Sequence, residues 1–218
     1  KAGGRLVAVG ESGRIVLSDD QGENWRQAKV PTSVLLTAVA FADTKVGWAI
    51  GHSGVVIRTE DGGETWSRQL DGVQVARLIY DAVSGSTMQR SGIDTGISAS
   101  QAERLIEDGP DKPFLALRVE DTQKATIVGA FGYALHTVDG GKHWISLDTQ
   151  LKNPIGLHYY GIEKTAEGLL FVGEQGIVQR QITGSEFLVE TPSEGTLFGV
   201  LSLGNQVLIA YGLRGKVV

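Results

Sequence analysis

The sequence predicts an all-β fold, a β-propeller of four-stranded antiparallel blades with one helical insertion. Three observations predict it. An octapeptide with the pattern Ser/Thr-x-Asp-x-Gly-x-x-Trp occurs three times, a Gly-x-x-Gly motif occurs five times, and short apolar runs flank both motifs. A unit of about 40 residues with four short apolar runs is typical of a propeller blade, whereas a helical solenoid would show longer runs with a 3.6-residue period.

The octapeptide is interpreted as a structural turn. Gly between two apolar runs favours a hairpin, and the Asp carboxylate and the Ser or Thr hydroxyl can accept hydrogen bonds from turn N–H groups. The Trp can bury a large apolar surface against a neighbouring unit. A catalytic role for the repeated Asp is disfavoured, because an active site requires different groups that converge. The fixed positions of the three copies are Ser18, Asp20, Gly22 and Trp25, then Thr59, Asp61, Gly63 and Trp66, then Thr137, Asp139, Gly141 and Trp144.

The Gly-x-x-Gly motif predicts a second hairpin turn in each unit. Its spacing is 41 residues from Gly10 to Gly51, 44 from Gly129 to Gly173 and 39 from Gly173 to Gly212. Five blade units follow from this spacing, and the second unit shows four strands, at 35–41, 46–50, 55–59 and 66–70. The first and last units are incomplete, with strands predicted at 5–9 and 214–218. We therefore expect residues 1–218 to form a single propeller domain that is part of a longer propeller, with a closed five-bladed ring as the alternative.

One spacing departs from the others and predicts an insertion. Gly51 and Gly129 are 78 residues apart, and a shift of 78 aligns residues 36–44 with 114–122, so the blade pattern resumes near Lys112. We assign residues 72–111 to a helical insertion between two blades. A helix is predicted at 101–108, with Ser100 and Glu103 as its capping box, and a weaker helix at 75–83.

Composition excludes several classes of protein and site. The formal net charge is −5 and no basic cluster is present, which argues against a nucleic-acid partner. No apolar stretch reaches 18 residues, so no membrane-spanning segment is predicted. The chain has no cysteine, which excludes thiol nucleophiles, disulfides and zinc–thiolate sites. The four histidines are scattered, so no metal and no cofactor is predicted, and calcium at the acidic turns is disfavoured because turn N–H groups are expected to occupy the Asp carboxylates.

The three octapeptides resemble the Asp-box, or bacterial neuraminidase repeat. Among Asp-box propellers the sequence is most similar to the photosystem II stability/assembly factor-like proteins of bacteria. The similarity rests on the Asp-Gly-Gly-x-x-Trp form, the preceding Gly-x-x-Gly turn, and the segment Asp43-Thr44-Lys-Val-Gly47-Trp48. This resemblance implies a non-catalytic, periplasmic or otherwise exported propeller that binds protein partners and assists assembly or stability of a membrane complex.

The alternative is a sialidase-like glycoside hydrolase or a carbohydrate-binding propeller, so a small-molecule or glycan ligand is not excluded. The Arg-Ile-Pro segment of sialidases is missing, and Arg14-Ile15-Val16 is the nearest run. A glycosidase needs two carboxylates at a defined separation, which the sequence alone does not assign. The available candidates are Glu120, Asp121, Glu163 and Glu174.

Two surfaces are predicted to bind a partner, because a propeller is a rigid platform that presents variable loops. One is the central face, formed by the loops that lead into the inner strands, and the other is the helical insertion. Simple packing onto the propeller is the alternative role for Leu78, Leu105 and Ile106. The candidate partner-binding residues are Arg77, Tyr80, Arg90 and Arg104 on the insertion, and Arg118, His158 and Tyr159 for the central face.

Overall fold

The described residues of the computed structural model, 2–85, 97–192, 194–203 and 207–218, contain five antiparallel sheets that follow one another along the chain. Within each sheet, consecutive strands are neighbours, as in a meander. The three central sheets have four strands each, the first has three and the last has two. This arrangement confirms the predicted all-β fold of four-stranded antiparallel blades.

The strands are short and begin or end at the repeated glycine turns. The first sheet contains β1 (Leu6–Val9), β2 (Ile15–Ser18) and β3 (Arg26–Gln27), and the second contains β4 (Leu36–Phe41), β5 (Gly47–Gly51), β6 (Val56–Thr59) and β7 (Ser67–Leu70). The third contains β8 (Phe114–Val119), β9 (Ala125–Gly129), β10 (Ala134–Thr137) and β11 (Ile145–Ser146). The fourth contains β12 (Tyr159–Lys164), β13 (Leu169–Gly173), β14 (Val178–Thr183) and β15 (Glu186–Glu190), and the fifth contains β16 (Leu197–Ser202) and β17 (Leu208–Gly212).

The core lies between successive sheets rather than at one centre. Ile15 and Leu17 of the first sheet are buried together with Ile57 and Trp66 of the second. The first strands of the later sheets, β4, β8, β12 and β16, contact one another in turn. They are the edge strands of their sheets, so they surround the centre of the propeller.

Each Gly-x-x-Gly motif forms a two-residue hairpin turn of type I′. Its third and fourth residues both have positive φ, as Phe131 (56°) and Gly132 (77°) show. A type I′ turn requires this conformation and matches the twist of the flanking strands, which is why Gly recurs at the fourth position. The third position is not Gly in any of the five turns and is occupied by Ser12, Ser53, Phe131, Gln175 and Arg214.

Between β7 and β8, the described residues of the segment 72–111 form two α-helices. They are α1 (Gly72–Gly85) and α2 (Ala99–Asp108). Helix α1 starts earlier than predicted, because Asp71 and Gln74 form a reciprocal cap: the Gln74 N–H donates to Asp71 Oδ1 over 3.1 Å and the Asp71 N–H donates to Gln74 Oε1 over 3.0 Å.

The predicted capping box of α2 at Ser100 and Glu103 is wrong. Ser98 is the N-cap: its hydroxyl accepts from the Gln101 N–H over 3.2 Å, and Gln101 Oε1 accepts from the Ser98 N–H over 2.7 Å. Ile97 and Ala102, just before the cap and four residues after it, are both buried in the same cluster. This apolar pair fixes the direction in which the chain enters the helix and selects the earlier box.

The predicted strand at 214–218 is shorter than expected, because its first residues form the turn at Leu213–Gly215. Val218 and Ala210 exchange two backbone hydrogen bonds of 2.8 Å, so only the last residues pair with β17. No helix among the described residues is long and apolar enough to cross a membrane.

Candidate functional site

The second octapeptide shows how an Asp-box holds its turn. The Thr59 hydroxyl accepts from the Gly63 N–H over 3.0 Å and donates to Asp61 Oδ1 over 2.8 Å. Asp61 Oδ1 also accepts from the Thr65 N–H over 3.0 Å, and its other carboxylate oxygen accepts from the Thr65 hydroxyl. The Trp66 indole donates to the Gly63 carbonyl over 2.9 Å. The Asp carboxylate therefore serves as an acceptor for its own turn.

The first and third octapeptides repeat this arrangement around Asp20 and Asp139. Asp20 accepts from the backbone and side-chain amides of Asn24, and Asp139 accepts from the His143 N–H over 3.0 Å and from its ring. These donors lower the pKa of Asp20 and of Asp139 to about 2. Burial acts to raise the pKa of Asp61, but the hydrogen bonds from Thr65 and Thr59 prevail and the pKa is lowered. All three carboxylates are thus held ionised by turn donors.

The three box tryptophans differ in burial. Trp66 and Trp144 are 7% and 5% exposed, each packed with residues of the preceding sheet. Trp25 is 45% exposed, and the described residues contain no sheet before the one that carries the first octapeptide. Trp144 differs in a second way: its buried Nε1 has no hydrogen-bond partner among the described residues, whereas the other two indoles donate within their own turns.

Box turns also join neighbouring sheets. Glu64, in the second octapeptide, accepts from Arg5 and Arg26 of the first sheet. Gln69 of the second sheet donates to the Gly140 carbonyl in the third octapeptide over 2.8 Å and accepts from the Trp48 indole over 3.0 Å. The turn of each of these boxes therefore rests on the sheet before it.

The inner strands carry a repeated β-bulge at the central face. In β4, β8, β12 and β16 the second residue is left out of the pairing register, while the first residue of each strand is buried. A bulge leaves its extra residue unpaired and redirects the side chain. The four bulge residues are Thr37, Leu115, Tyr160 and Phe198.

Aromatic rings extend from two of these bulges into one continuous row. The ring centroids of Phe131 and His158 are 5.0 Å apart, those of His158 and Tyr160 are 6.2 Å apart, and those of Tyr160 and Phe198 are 5.6 Å apart. Phe131 and Phe198, at the two ends, are 44% and 45% exposed. We call Phe131, His158, Tyr160 and Phe198 the aromatic row; it runs across the third, fourth and fifth sheets on the face of the Gly-x-x-Gly turns.

The structure brings one predicted central-face residue, His158, into this row and places the others elsewhere. Tyr159 is fully buried, and its hydroxyl accepts from Gln179 Nε2 over 2.7 Å. The surface placement of Tyr159 is therefore corrected: it occupies the core position before the bulge, and its neighbour Tyr160 occupies the bulge. Arg118 lies on β8 and pairs with Glu163 of β12 over 2.8 Å, which links two inner strands.

Insertion candidates lie at two cavities. Arg77 pairs with Asp81 over 3.1 Å and lies 5.5 Å from the centre of the Tyr80 ring. It lines a cavity of about 510 Å³ between α1 and the third octapeptide, beside His143 and Trp144. Arg104 of α2 lines a smaller cavity of about 220 Å³ that also borders Phe131 and Ile155. Arg90 lies outside the described residues.

Helix α2 therefore flanks the aromatic row, and the two predicted surfaces meet at Phe131. Leu105 is buried and Leu78 packs against the same cluster, as the packing alternative states, while Ile106 is exposed. Lys112, which follows the insertion, is buried, bonds to Asp108 and Asp111, and places its ammonium 5.0 Å from the centre of the Phe131 ring.

The carboxylates considered for glycoside hydrolysis all have structural partners. Asp121 Oδ1 accepts from the Gln123 and Lys124 N–H groups over 2.7 and 2.8 Å. Asp43 makes the equivalent bonds in the second sheet, where it accepts from the N–H groups of Lys45 and Val46. Glu120 pairs with Lys164 over 3.3 Å, Glu163 pairs with Arg118, and Glu174 accepts from the His158 N–H over 3.2 Å. Within the described part of the chain, no three His, Asp or Glu side chains are grouped as metal ligands.

Sequence reasoning missed Phe131 and Phe198. Phe198 occupies the same bulge position as Tyr160, so aligning the first strands of the repeats could have pointed to it. Phe131 lies inside a Gly-x-x-Gly turn, where a bulky residue with φ of 56° is unusual. That both rings join His158 and Tyr160 depends on how neighbouring sheets pack.

Comparison with known proteins agrees with this architecture. The family model for photosynthesis system II assembly factor YCF48 matches residues 15–89. This match confirms the predicted resemblance. No curated protein sequence matches the chain.

Solved propellers show the same fold over nearly the whole chain. A structure of YCF48 bound to D1 peptide is 16% identical with a TM-score of 0.59, and the match covers 97% of this chain and 59% of that one. YCF48 from Cyanidioschyzon merolae is 17% identical with a TM-score of 0.60, with coverage of 100% and 63%. An ancestral GH74 enzyme is 11% identical with a TM-score of 0.64, with coverage of 98% and 26%. The chain thus spans about three fifths of the length of the two YCF48 structures.

Proposed function

We propose that this chain is a non-catalytic propeller that binds protein partners, and that a segment of the partner lies along the aromatic row. The observation that carries the proposal is the row of Phe131, His158, Tyr160 and Phe198, whose two end rings are exposed and whose two middle rings are half-buried. Large apolar rings that remain in contact with water favour burial against a partner, and aromatic side chains dominate the energetics of protein interfaces.

The position of the row supports a peptide-like partner. The row is narrow and crosses three sheets, so an extended chain segment can contact its four rings in succession. The bulges at Tyr160 and Phe198 fix the rings on the rigid inner strands, so little ordering entropy is lost on binding. The similarity in fold to YCF48 bound to D1 peptide gives the proposal a precedent in a related architecture.

The finer proposal is that the partner belongs to a membrane complex whose assembly or stability the propeller assists. It is supported by the family model that matches residues 15–89. An exported or periplasmic location is proposed on the family resemblance, and fractionation of cells that express the full-length natural protein tests it. Recovery of that protein only in the cytoplasmic fraction would contradict the proposed location.

Affinity capture from membrane and periplasmic extracts tests the function. We expect the chain to retain a specific membrane-protein partner, and Tyr160→Ala and Phe198→Ala each to reduce that retention at least tenfold. Ile182→Ala is the matched control, because Ile182 is an exposed apolar residue away from the row. Its retention should equal that of the unmodified chain.

Two further measurements test where the partner binds. D1 peptide, titrated by fluorescence anisotropy, is a defined probe for the same row. A variant in which a short Gly-Ser linker replaces residues 72–111 reports the contribution of the insertion, once circular dichroism has shown that it is folded. If no protein is retained and a glycan array instead shows saturable binding that Tyr160→Ala abolishes, the protein-binding proposal is wrong and the carbohydrate-binding alternative replaces it.

A further inference from the structure

An open cleft of about 400 Å³ separates the third and fourth sheets, away from the aromatic row. Its floor contains Leu147, Leu169 and Phe187, which are buried. Val138 and Ile145 also line it, although they are 53% and 55% exposed. Exposed apolar side chains around a cleft with an apolar floor indicate a surface that another molecule can cover.

The two earlier sheet junctions show what occupies the equivalent place. Between the first and second sheets, the second octapeptide turn rests on the first sheet, with Glu64 held by Arg5 and Arg26. Between the second and third sheets, the third octapeptide turn rests on the second sheet, with Gly140 held by Gln69. At each junction the turn belongs to the later sheet and fills a groove on the earlier one.

The fourth sheet has no octapeptide turn that could rest on the third sheet. Gln181 stands where Thr59 and Thr137 stand in the octapeptides, five residues after the Gly-x-x-Gly motif. Strands β14 and β15 continue to pair out to Thr183 and Glu186, so the hairpin closes tightly. The Gln181 side chain bonds to the Leu169 N–H and the Gly184 carbonyl of its own sheet. The groove on the third sheet is therefore left open, and the cleft is that groove.

The charge at the cleft is positive and therefore complementary to that of an acidic turn. Lys164 pairs with Glu120 over 3.3 Å, and Lys124, which is exposed, makes no ion pair among the described residues. His136 lies in the wall and bonds to the Thr126 hydroxyl over 2.8 Å, and burial lowers its pKa, so the ring adds no charge at neutral pH. The cleft therefore carries one positive charge in excess. At the first junction, by comparison, two arginines hold the Glu64 carboxylate.

We propose that the cleft binds an acidic turn of a partner protein, which takes the place of the missing Asp-box. The carboxylate of that turn lies against Lys124 and Lys164, and an apolar or aromatic side chain next to it covers Val138, Ile145 and the floor. This inference rests on the proposed protein-binding function and adds a second, separate contact region for the same class of partner.

A peptide copied from residues 59–66 of this chain is the probe, because it is the turn that fills an equivalent groove. The acetylated, amidated Thr-Glu-Asp-Gly-Gly-Glu-Thr-Trp peptide is titrated against the isotope-labelled protein, and amide chemical shifts are followed. We expect saturable shifts confined to the cleft, around Lys124, His136, Ile145 and Lys164. The Lys124→Ala/Lys164→Ala variant, and a neutral peptide with Gln and Asn in place of Glu and Asp, should each weaken binding at least tenfold.

Two controls separate this inference from the function of the aromatic row. Lys142→Ala removes an exposed lysine that does not line the cleft and should leave binding of the probe unchanged. Tyr160→Ala should abolish capture at the row but leave the cleft shifts intact. If the peptide shifts the cleft resonances but no partner is captured, partner binding at the aromatic row is disproved and the cleft proposal stands. If a partner is captured but the peptide causes no cleft shifts, the cleft proposal is disproved and binding at the row stands.

The inference is overturned if the acidic peptide gives no saturable shifts at millimolar concentration, or if the neutral peptide binds equally well. It is also overturned if sedimentation shows a dimer that dissociates in the Lys124→Ala/Lys164→Ala variant. That result would assign the cleft to a second copy of the chain.

Discussion

At the scale of single residues, the hydroxyl of each Asp-box accepts a hydrogen bond from one turn N–H and the aspartate accepts from another. The Thr59 hydroxyl joins Asp61 to the buried Gly63 N–H, whereas the Thr65 hydroxyl reaches the exposed side of the same carboxylate. A buried donor that loses its acceptor pays its full desolvation cost, but an exposed one can bond to water instead. Loss of the Thr59 hydroxyl should therefore destabilise the protein more than loss of the Thr65 hydroxyl.

Thr59→Val is expected to lower the free energy of unfolding by about 1–3 kcal/mol, because the buried Gly63 N–H loses its acceptor while the shape of the side chain is kept. Thr65→Val, the matched control, should lower it by less than about 0.5 kcal/mol. Urea denaturation followed by tryptophan fluorescence measures both. Equal effects of the two substitutions would contradict the role assigned to the buried hydroxyl.

Asp148 is a buried carboxyl group outside the Asp-boxes. It lies two residues after Ser146, whose hydroxyl donates to it, and burial raises its pKa to about 7. The unfolded chain has the ordinary Asp pKa of about 3.9. Because the folded state binds the proton more tightly, the stability that this group contributes is complete below about pH 4 and is lost as the pH rises through about 7.

Asp148→Asn should remove that pH dependence. The free energy of unfolding of the wild type, relative to Asp148→Asn, should fall by no more than about 4 kcal/mol between about pH 4 and pH 8. Chemical denaturation across this range measures the difference, and Asp81→Asn on the exposed face of α1 is the control. Parallel pH profiles for the wild type and Asp148→Asn would show that the carboxyl group is not held protonated.

At the scale of elements, the insertion helices depend on caps whose position is set by packing. Ser98 and Ser100 are both exposed and have similar sequence surroundings, yet only Ser98 forms the capping box with Gln101. Burial of Ile97 on one side and Ala102 on the other selects the register. The start of α2 therefore follows from its packing against α1, in the apolar cluster that both helices share with the second and third sheets.

Ser98→Ala should destabilise the protein by about 1 kcal/mol, because the Gln101 N–H loses its cap. Ser100→Ala should have little effect, since Ser100 lies within the first turn of the helix. Thermal denaturation by circular dichroism compares the two variants. A larger effect of Ser100→Ala would restore the capping box predicted from the sequence.

At the scale of the whole molecule, the sheets are joined by side chains that bond across their junctions. Gln69 is the clearest example, because it accepts from the buried Trp48 indole in its own sheet and donates to Gly140 in the next. The third and fourth sheets are joined by the Arg118–Glu163 and Lys164–Glu120 ion pairs, but no Asp-box turn of the fourth sheet bonds to the third. Loss of the Gln69 bonds between the second and third sheets should therefore lower the stability of the protein.

Gln69→Leu should lower the free energy of unfolding by about 1–3 kcal/mol, because it leaves the Trp48 N–H and the Gly140 carbonyl unpaired. Gln27→Leu, an exposed substitution on β3, is the matched control and should change it by less than about 0.5 kcal/mol. Denaturant titration measures both. An unchanged midpoint for Gln69→Leu would mean that the junction depends on apolar packing alone.

The sequence by itself determined the repeated architecture of this protein. The Gly-x-x-Gly and Asp-box motifs predict local turns, and local turns depend on a few neighbouring residues, so strand order, the four strands of the second sheet and the place of the insertion followed from spacing. The resemblance to assembly-factor propellers followed from the same motifs. The starts of α1 and α2 did not, because side-chain caps and contacts with the sheets set them.

Only the tertiary structure decided which residues reach the surface and which meet. Tyr159 and Tyr160 are adjacent and chemically alike, and a bulge buries one and directs the other into the aromatic row. Phe131 and Phe198 lie far apart in the chain. They join the row because the turn between β9 and β10 and the inner strand β16 both pack against β12. The open cleft likewise lies where the fourth sheet lacks the turn that would rest on the third. A local motif records how the chain turns, whereas a binding surface depends on how separate turns are packed together.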